Sequence, residues 1–254
     1  MNNKTIIPRI SSLDFHTKEA INILRGNIQM AGYNVKAIAF TSAKAHEGKS
    51  SLSFRLAKSL AGINKKVLYL DCDIRNSKTK KRYGIVEKTA GLSEFLCGQL
   101  PEEEIIFSTD DPCLDIIFSG NNAPNPSELL SGELFHQLMQ DVKCRYDYVI
   151  ADTPPANLVI DAVLVARECD STIIVVESGC TDRREALHLK DTLDNAGIKV
   201  LGVVLNKIVF SKKRYGYGKY GYKNYGYGKQ GYDYEEYVKE QEENREDEEN
   251  GNEI

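Results

Sequence analysis

The sequence predicts an α/β fold with a doubly wound, mostly parallel sheet, and three observations support this prediction. Apolar runs of strand length alternate with segments of helical periodicity between residues 35 and 210. Most of these runs are apolar throughout, which is typical of parallel strands buried on both faces. Two of the runs end in aspartate, at Asp71 and Asp152, and the carboxyl edge of such a sheet is where ligands bind.

The first part of the chain is predicted to form two helices and two strands around a polar loop. Apolar residues at helical spacing indicate a helix at 16–31, which Gly32 ends. The β-branched run at 35–42 indicates a buried strand, and a helix follows at 49–61. The apolar run at 65–73 indicates a second buried strand.

The alternation continues to about residue 207 and then stops. The later predicted elements are a short helix at 91–97, a strand from Leu114, a helix at 127–142, a strand at 146–152, a helix at 160–167, a strand at 171–178, a helix at 181–195 and a strand at 199–207. Residues 211–254 have no period that could bury a core, so they are predicted to be a disordered tail. The chain therefore divides into an N-terminal helical segment at 1–34, an α/β domain at 35–210 and this tail.

Charge and cysteine usage exclude several classes of function. The net charge of −4 divides into −1 on residues 1–210, +5 on residues 211–234 and −8 on residues 235–254. A nearly neutral body has no electrostatic reason to bind nucleic acid. The six cysteines form no CxxC pair, which excludes a zinc ribbon or an iron–sulfur site. Without an export signal or a membrane-spanning run, the sequence predicts a cytoplasmic protein that reaches a membrane only through a partner.

A phosphate-binding loop is predicted between the strand at 35–42 and the helix at 49–61. The segment AKAHEGKS matches the pattern G-x-x-x-x-G-K-[ST] except at its first glycine, which is alanine here. Backbone N–H groups would hold phosphate, Lys49 would reach the β and γ oxygens of ATP, and Ser50 would bind Mg²⁺. The predicted nucleotide-binding residues of this loop are Ala43, Lys44, Ala45, His46, Glu47, Gly48, Lys49, Ser50 and Ser51.

Three carboxylates at predicted strand ends complete the metal site. Asp152 closes the run YDYVIAD and resembles a Walker B aspartate, which contacts Mg²⁺ directly or through water. Asp71 and Asp73 close the run KVLYLDCD. The predicted magnesium ligands are therefore Ser50, Asp71 and Asp152.

These segments together resemble the bacterial tyrosine kinases of capsule and exopolysaccharide synthesis, over nearly all of residues 14–237. The shared segments are EGKS at 47–50, LDCDIR at 70–75, GLSEFL at 91–96, PNPSELL at 124–130, DTPP at 152–155, GVVLNK at 202–207 and the terminal tyrosine cluster. The resemblance adds Asn206 to the expected nucleotide-binding residues. One difference is His46, at a position where glycine is common, and a positive φ there would strain histidine only modestly.

The resemblance implies a kinase that uses ATP and Mg²⁺ to phosphorylate the tail of a neighbouring copy, and that regulates polysaccharide synthesis and export. Lys49, Asp71 and Asp73 are the expected catalytic residues, and the proton acceptor is either Asp71 or Asp73. The expected phosphorylation sites are Tyr215, Tyr217, Tyr220, Tyr222, Tyr225, Tyr227, Tyr232, Tyr234 and Tyr237, which alternate with glycines that let the backbone extend into a cleft.

The same resemblance implies partners. It predicts a membrane-embedded activator of the polysaccharide chain-length type, which would hold the kinase at the inner face of the membrane. It also predicts a homo-oligomer, formed as a ring through the helix at 16–31, and a tyrosine phosphatase that resets the tail. The ring motif E-x-x-R-x-x-R is incomplete here, because it reads Glu19, Asn22 and Arg25.

Two other functions fit part of the sequence. The deviant Walker ATPases of plasmid partition and division-site placement carry a lysine at the second loop position, where Lys44 stands, and they act as ATP-driven dimer switches. Such a switch has no use for a tyrosine tail. The second alternative is a non-catalytic scaffold that binds ATP and presents its tyrosines to another kinase.

Overall fold

The computed structural model describes residues 5–9, 12–32, 34–85 and 89–208. The helices are α1 (Phe15–Met30), α2 (Lys49–Ala61), α3 (Thr79–Arg82), α4 (Leu92–Leu96), α5 (Pro126–Leu130), α6 (Glu133–Arg145), α7 (Asp161–Arg167) and α8 (Arg183–Asn195). The strands are β1 (Ala37–Ser42), β2 (Val67–Asp71), β3 (Ile106–Ser108), β4 (Leu114–Ile117), β5 (Tyr148–Asp152), β6 (Ser171–Glu177) and β7 (Val200–Asn206). The predicted tail lies outside the described residues.

The strands form one sheet in the order β3-β4-β2-β5-β1-β6-β7. Every neighbouring pair is parallel except β3 with β4, which is antiparallel at the edge of the sheet. The prediction of a doubly wound, mostly parallel sheet is confirmed. The sequence did not reveal β3, because a three-residue, half-buried edge strand has no periodicity to detect.

Side chains of the strands alternate between two apolar layers. In β2, Tyr69 packs on the face covered by α2, where it meets the ring of Phe54 edge to face at 4.9 Å. Leu68 and Leu70 point to the opposite face and join the core beneath α6. Burial on both faces explains why the strand sequences are almost wholly apolar.

The helix predicted at 127–142 is two helices, and that prediction was wrong in this respect. The chain leaves the helical conformation at Gly132, whose extended backbone (φ −80°, ψ 162°) caps the start of α6. The Ser131 N–H still donates to the Ser127 carbonyl and closes the end of α5. A glycine between two helical patterns is the signal that marks this break.

Helix α1 packs against α2. Ile21 and Ile28 are buried, and Arg25 donates to the carbonyl of Ser59 at 3.0 Å and to its hydroxyl at 2.9 Å. The side-chain amide of Asn22 donates a hydrogen bond to the Glu19 carboxylate on the same helix at 2.8 Å. Arg25 of the incomplete ring motif is therefore engaged within its own chain. None of the helices in the described part of the chain has the length and apolar character needed to cross a membrane.

The GLSEFL segment forms a close junction between α4 and the end of β4. The Glu94 carboxylate accepts from the backbone N–H of Gly91 at 2.8 Å and of Asn121 at 3.1 Å. A Cβ on Gly91 would lie 2.2 Å from the Phe118 carbonyl oxygen. Glycine is therefore required at the start of this segment, because any side chain would collide with the backbone after β4.

Replacing Gly91 with alanine is expected to destabilise the protein by about 1–3 kcal/mol, the usual cost of forcing extra atoms into a packed site. Gly26→Ala is the matched control, because nothing lies within 4 Å of a Cβ at that position of α1. Urea denaturation measures both free energies of unfolding. An unchanged midpoint for Gly91→Ala would show that the junction relaxes freely.

Candidate active site

The carboxyl ends of the central strands open into a cleft of about 570 Å³. Four segments line it: the loop and helix start after β1, the segment after β2, the turn after β5, and Lys207 after β7. Lining residues are Ala45, His46, Gly48, Lys49, Ser50, Ser51, Asp73, Arg75, Asn76, Lys78, Arg82, Pro154, Pro155, Leu158, Val159 and Lys207. This is the edge of a parallel sheet at which ligands bind.

The loop before α2 has the backbone conformation of a phosphate cradle. Gly48 has φ +89° and precedes the first turn of the 13-residue helix, whose free N–H groups point toward the cleft. A Cβ at Gly48 would lie 2.2 Å from Nδ2 of Asn206, so only glycine fits. His46 also has a positive φ of 68°, a conformation that histidine adopts more readily than most residues.

The loop is held from behind by side chains distant in sequence. Glu47 is buried, and its carboxylate accepts from the Lys44 N–H at 2.8 Å and from the Thr181 hydroxyl. Asn206 donates to the Glu47 carbonyl at 2.9 Å, and Lys207 donates to the His46 carbonyl at 2.7 Å. The acidic side chain of the loop therefore faces the protein interior, away from any phosphate in the cleft.

Two carboxylates stand side by side beneath the loop. The parallel register of β2 and β5 pairs Asp71 with Asp152, and both are almost completely buried. Burial raises the pKa of Asp71 to about 7, and the charge of Asp152 adds to this. Burial also raises the pKa of Asp152, whereas Lys49 and the Ser50 hydroxyl act in the opposite direction. Lys49 and Ser50 of the phosphate loop therefore stabilise the ionised form of Asp152.

Asp71 and Asp73 differ in access to the cleft. Asp71 accepts hydrogen bonds from the Ser77 hydroxyl and from the Asp73 N–H. Asp73 is half-buried, lines the cleft, and accepts from the Asn76 N–H at 3.0 Å. Of the two aspartates that the sequence could not distinguish, Asp73 is the one that faces the cleft.

An ion pair that the sequence did not predict fixes the segment after β2. Arg75 donates to Asp161 through Nε at 2.6 Å and through Nη2 at 2.9 Å, and Asp161 is fully buried. The Ser127 hydroxyl joins the same carboxylate at 2.9 Å. These contacts tie the start of α5 and of α7 to the wall that carries Asp73.

The other predicted loop residues do not line the cleft. Ala43 is buried beneath the loop. The Lys44 ammonium pairs with Glu185 of α8 at 2.6 Å. Glu47 and Asn206 support the loop from behind. The cleft residues that sequence reasoning did not assign are Arg75, Asn76, Lys78, Arg82, Pro154, Pro155, Leu158, Val159 and Lys207.

Three of these residues could have been found from the sequence. Arg75 lies in the LDCDIR segment, and Pro154 and Pro155 lie in the DTPP segment, both of which resemble the kinase family. The nine tail tyrosines lie outside the described residues.

The residues present fit a magnesium nucleotide. Within the described ranges, no group of three or more His, Cys, Asp or Glu side chains could hold a metal by itself. Mg²⁺ usually keeps several waters and takes one or two protein carboxylates together with substrate phosphates. The Ser50 hydroxyl and the Asp152 carboxylate match that donor set. The loop conformation at Gly48 and the ammonium group of Lys49 suit the binding of phosphate.

Comparison with known proteins agrees with this geometry. The family model of an AAA domain matches residues 35–203. The chain is 39% identical over 192 residues to the tyrosine-protein kinase CpsD of Streptococcus agalactiae serotype III, covering 76% of this chain and 83% of that protein. It is 34% identical over 190 residues to the tyrosine-protein kinase YwqD of Bacillus subtilis, covering 74% and 80% of the two chains.

Solved structures show the same relation. The kinase domain of the Escherichia coli tyrosine kinase ETK superposes with a TM-score of 0.75 at 29% identity, covering 87% of this chain and 89% of that one. The cell division ATPase MinD of Pyrococcus furiosus superposes at 0.58 with 20% identity, covering 67% and 71%, which shows a shared fold alone. Sequence identity to the kinases extends over most of both chains, and the chain therefore belongs to the family of bacterial tyrosine-protein kinases.

Proposed function

We propose that this kinase transfers the γ-phosphoryl group of ATP to the tyrosines of residues 215–237 on a neighbouring copy, and thereby regulates capsular or exopolysaccharide synthesis and export. The observation that carries the proposal is that Asp73, after the end of β2, lines the same cleft as Lys49 and Ser50 of the phosphate loop. The tail supplies nine tyrosines without a predicted fold to oppose their entry into a cleft.

In the proposed reaction, the phenolic oxygen of a tyrosine bonds to the γ-phosphorus as the bond from that phosphorus to the β,γ-bridging oxygen breaks. ADP leaves with the electron pair of that bond, and the phenolic proton passes to the Asp73 carboxylate. Lys49 stabilises negative charge on the transferred group. Bound magnesium would supply further charge neutralisation, held by Ser50 and Asp152.

Asp73 is favoured over Asp71 as the proton acceptor because of access. Asp71 is enclosed by Ser77 and by the backbone of its own turn. We assign Asp71 to support of the metal site, beside its register partner Asp152. Since a loose transition state needs little base strength, the main role of Asp73 is to orient the tyrosine hydroxyl.

The dimer-switch alternative is disfavoured by Lys44. In the deviant Walker ATPases that the sequence also resembles, this lysine is the distinguishing residue of the loop. Here its ammonium lies 2.6 Å from Glu185 of the same chain and is directed to α8. The non-catalytic alternative is disfavoured because Lys49, Ser50 and Asp73 line one cleft.

Lys49→Met is expected to lower tail phosphorylation by roughly 100-fold or more, the cost of losing one preorganised charge at the transferred group. Lys44→Met is the matched loop control and should keep most of the activity, since its partner is Glu185. Phosphotyrosine is measured by mass spectrometry after incubation with ATP and Mg²⁺. Loss of phosphorylation in Lys44→Met and not in Lys49→Met would contradict the assignment of Lys49 to the transferred group.

Asp152→Asn is expected to raise the Mg²⁺ concentration needed for half-maximal phosphorylation, because a neutral amide is a poorer ligand for a hard cation. Asp73→Asn should instead lower kcat at saturating Mg²⁺. Asp191→Asn, at an exposed position of α8, serves as the control. If Asp73→Asn keeps its full kcat while Asp71→Asn loses it, the assignment of the two aspartates is reversed.

The family resemblance also supports a membrane-embedded activator on a separate chain. We expect the isolated kinase to be weakly active, and a cytoplasmic peptide from such an activator to raise its rate of phosphorylation. The measurement is the initial rate with and without the peptide, with a scrambled peptide as control. The same rate is measured after addition of a membrane fraction. If neither the peptide nor the membrane fraction changes it, the activator is removed from the proposal.

A further inference from the structure

We propose that a basic wall formed by Lys78 and Arg82 selects acceptor tyrosines with acidic neighbours in sequence, so that Tyr232, Tyr234 and Tyr237 are phosphorylated before the other tail tyrosines. The inference rests on the proposed function, because it concerns the order in which the same cleft uses its acceptors.

The cleft is strongly cationic. Within the described part of the chain, its charged lining consists of Asp73 and five cations, which are Lys49, Arg75, Lys78, Arg82 and Lys207. Arg75 is neutralised by the buried carboxylate of Asp161. Lys207 pairs with Glu177 at 2.8 Å. Lys49 is placed for the nucleotide, so the charges left to act on an acceptor are those of Lys78 and Arg82.

Lys78 directly precedes α3 and Arg82 is its last residue, and both line the cleft. Both are exposed, and neither has a carboxylate within 4.0 Å among the residues that the structure describes. The two other lysines of this segment do not line the cleft. Lys80 turns inward and donates to the Thr89 carbonyl, and Lys81 is exposed elsewhere on the helix.

The basic wall begins close to the group that meets the acceptor. Lys78 follows Asp73 by five positions in the segment after β2, and both residues line the cleft. A tyrosine whose hydroxyl reaches Asp73 brings its sequence neighbours to within one or two residue lengths, about 3.3 Å each in an extended chain. Those neighbours therefore face Lys78 and Arg82, where acids are attracted and lysines are repelled.

The tail tyrosines differ in this respect. Between Tyr232 and Tyr237 the intervening acids are Asp233, Glu235 and Glu236. The tyrosines from 215 to 227 have glycine, lysine, arginine or asparagine as neighbours and no acid. The two groups therefore differ in flanking charge, and the basic wall distinguishes them by it.

The test is the initial rate of phosphorylation at each tail tyrosine of the full-length chain, resolved by mass spectrometry of phosphopeptides. We expect the acid-flanked group to be faster by about three- to tenfold, the range that one or two exposed ion pairs produce. Lys78→Gln combined with Arg82→Gln should bring the ratio close to one. Lys81→Gln is the matched control and should leave the ratio unchanged.

A second variant leaves the body of the protein intact. Asp233→Asn with Glu235→Gln and Glu236→Gln should abolish the preference, and added KCl should weaken the preference of the unaltered chain. Equal initial rates in the unaltered chain, or equal loss at every tyrosine together with a raised KM for ATP, would overturn the inference. Tail phosphorylation without a preference leaves the proposed function intact, whereas no tail phosphorylation removes both.

Discussion

The parallel register between β2 and β5 places Asp71 and Asp152 side by side at the carboxyl edge of the sheet, and the rest of the site depends on this pairing. Neighbouring strands lie about 4.8 Å apart, so two carboxylates in one register row repel each other unless cations stand near them. Both groups are buried, and burial raises the pKa of each, while the charge of Asp152 raises the pKa of Asp71 further. Lys49 provides positive charge beside this pair, and the magnesium ion of the proposed function would add to it.

The phosphate loop keeps its shape through contacts that reach across the chain. Its two positive-φ residues, His46 and Gly48, are both backed by the end of β7. Asn206 occupies the space that any Cβ at Gly48 would need. Glu47 turns an acidic side chain inward, so the loop presents N–H groups and a lysine without an opposing charge. Ala43, which replaces the first glycine of the motif, does not have a positive φ, so its backbone conformation does not require glycine.

Sequence reasoning predicted the parts of the site that depend on local pattern. Lys49, Ser50 and Asp152 stand within short motifs at the ends of apolar runs, so strand order was not needed to find them. Contacts between distant positions were not predictable in this way: Arg75 meets Asp161 across 86 positions and Thr181 meets Glu47 across 134. The sequence also does not show that Asp71 is buried whereas Asp73 lines the cleft.

The central claim is that the cleft of one copy phosphorylates the tail of another. It is tested most directly by mixing two forms of the protein, one with Lys49→Met and an intact tail, the other active but with all nine tail tyrosines changed to phenylalanine. Neither form should label itself on the tail with ATP and Mg²⁺. The mixture should place phosphate on the tail of the Lys49→Met chain, at a rate that rises with the concentration of the active form. An unlabelled tail in the mixture, when the intact protein labels its own, would contradict transfer between copies.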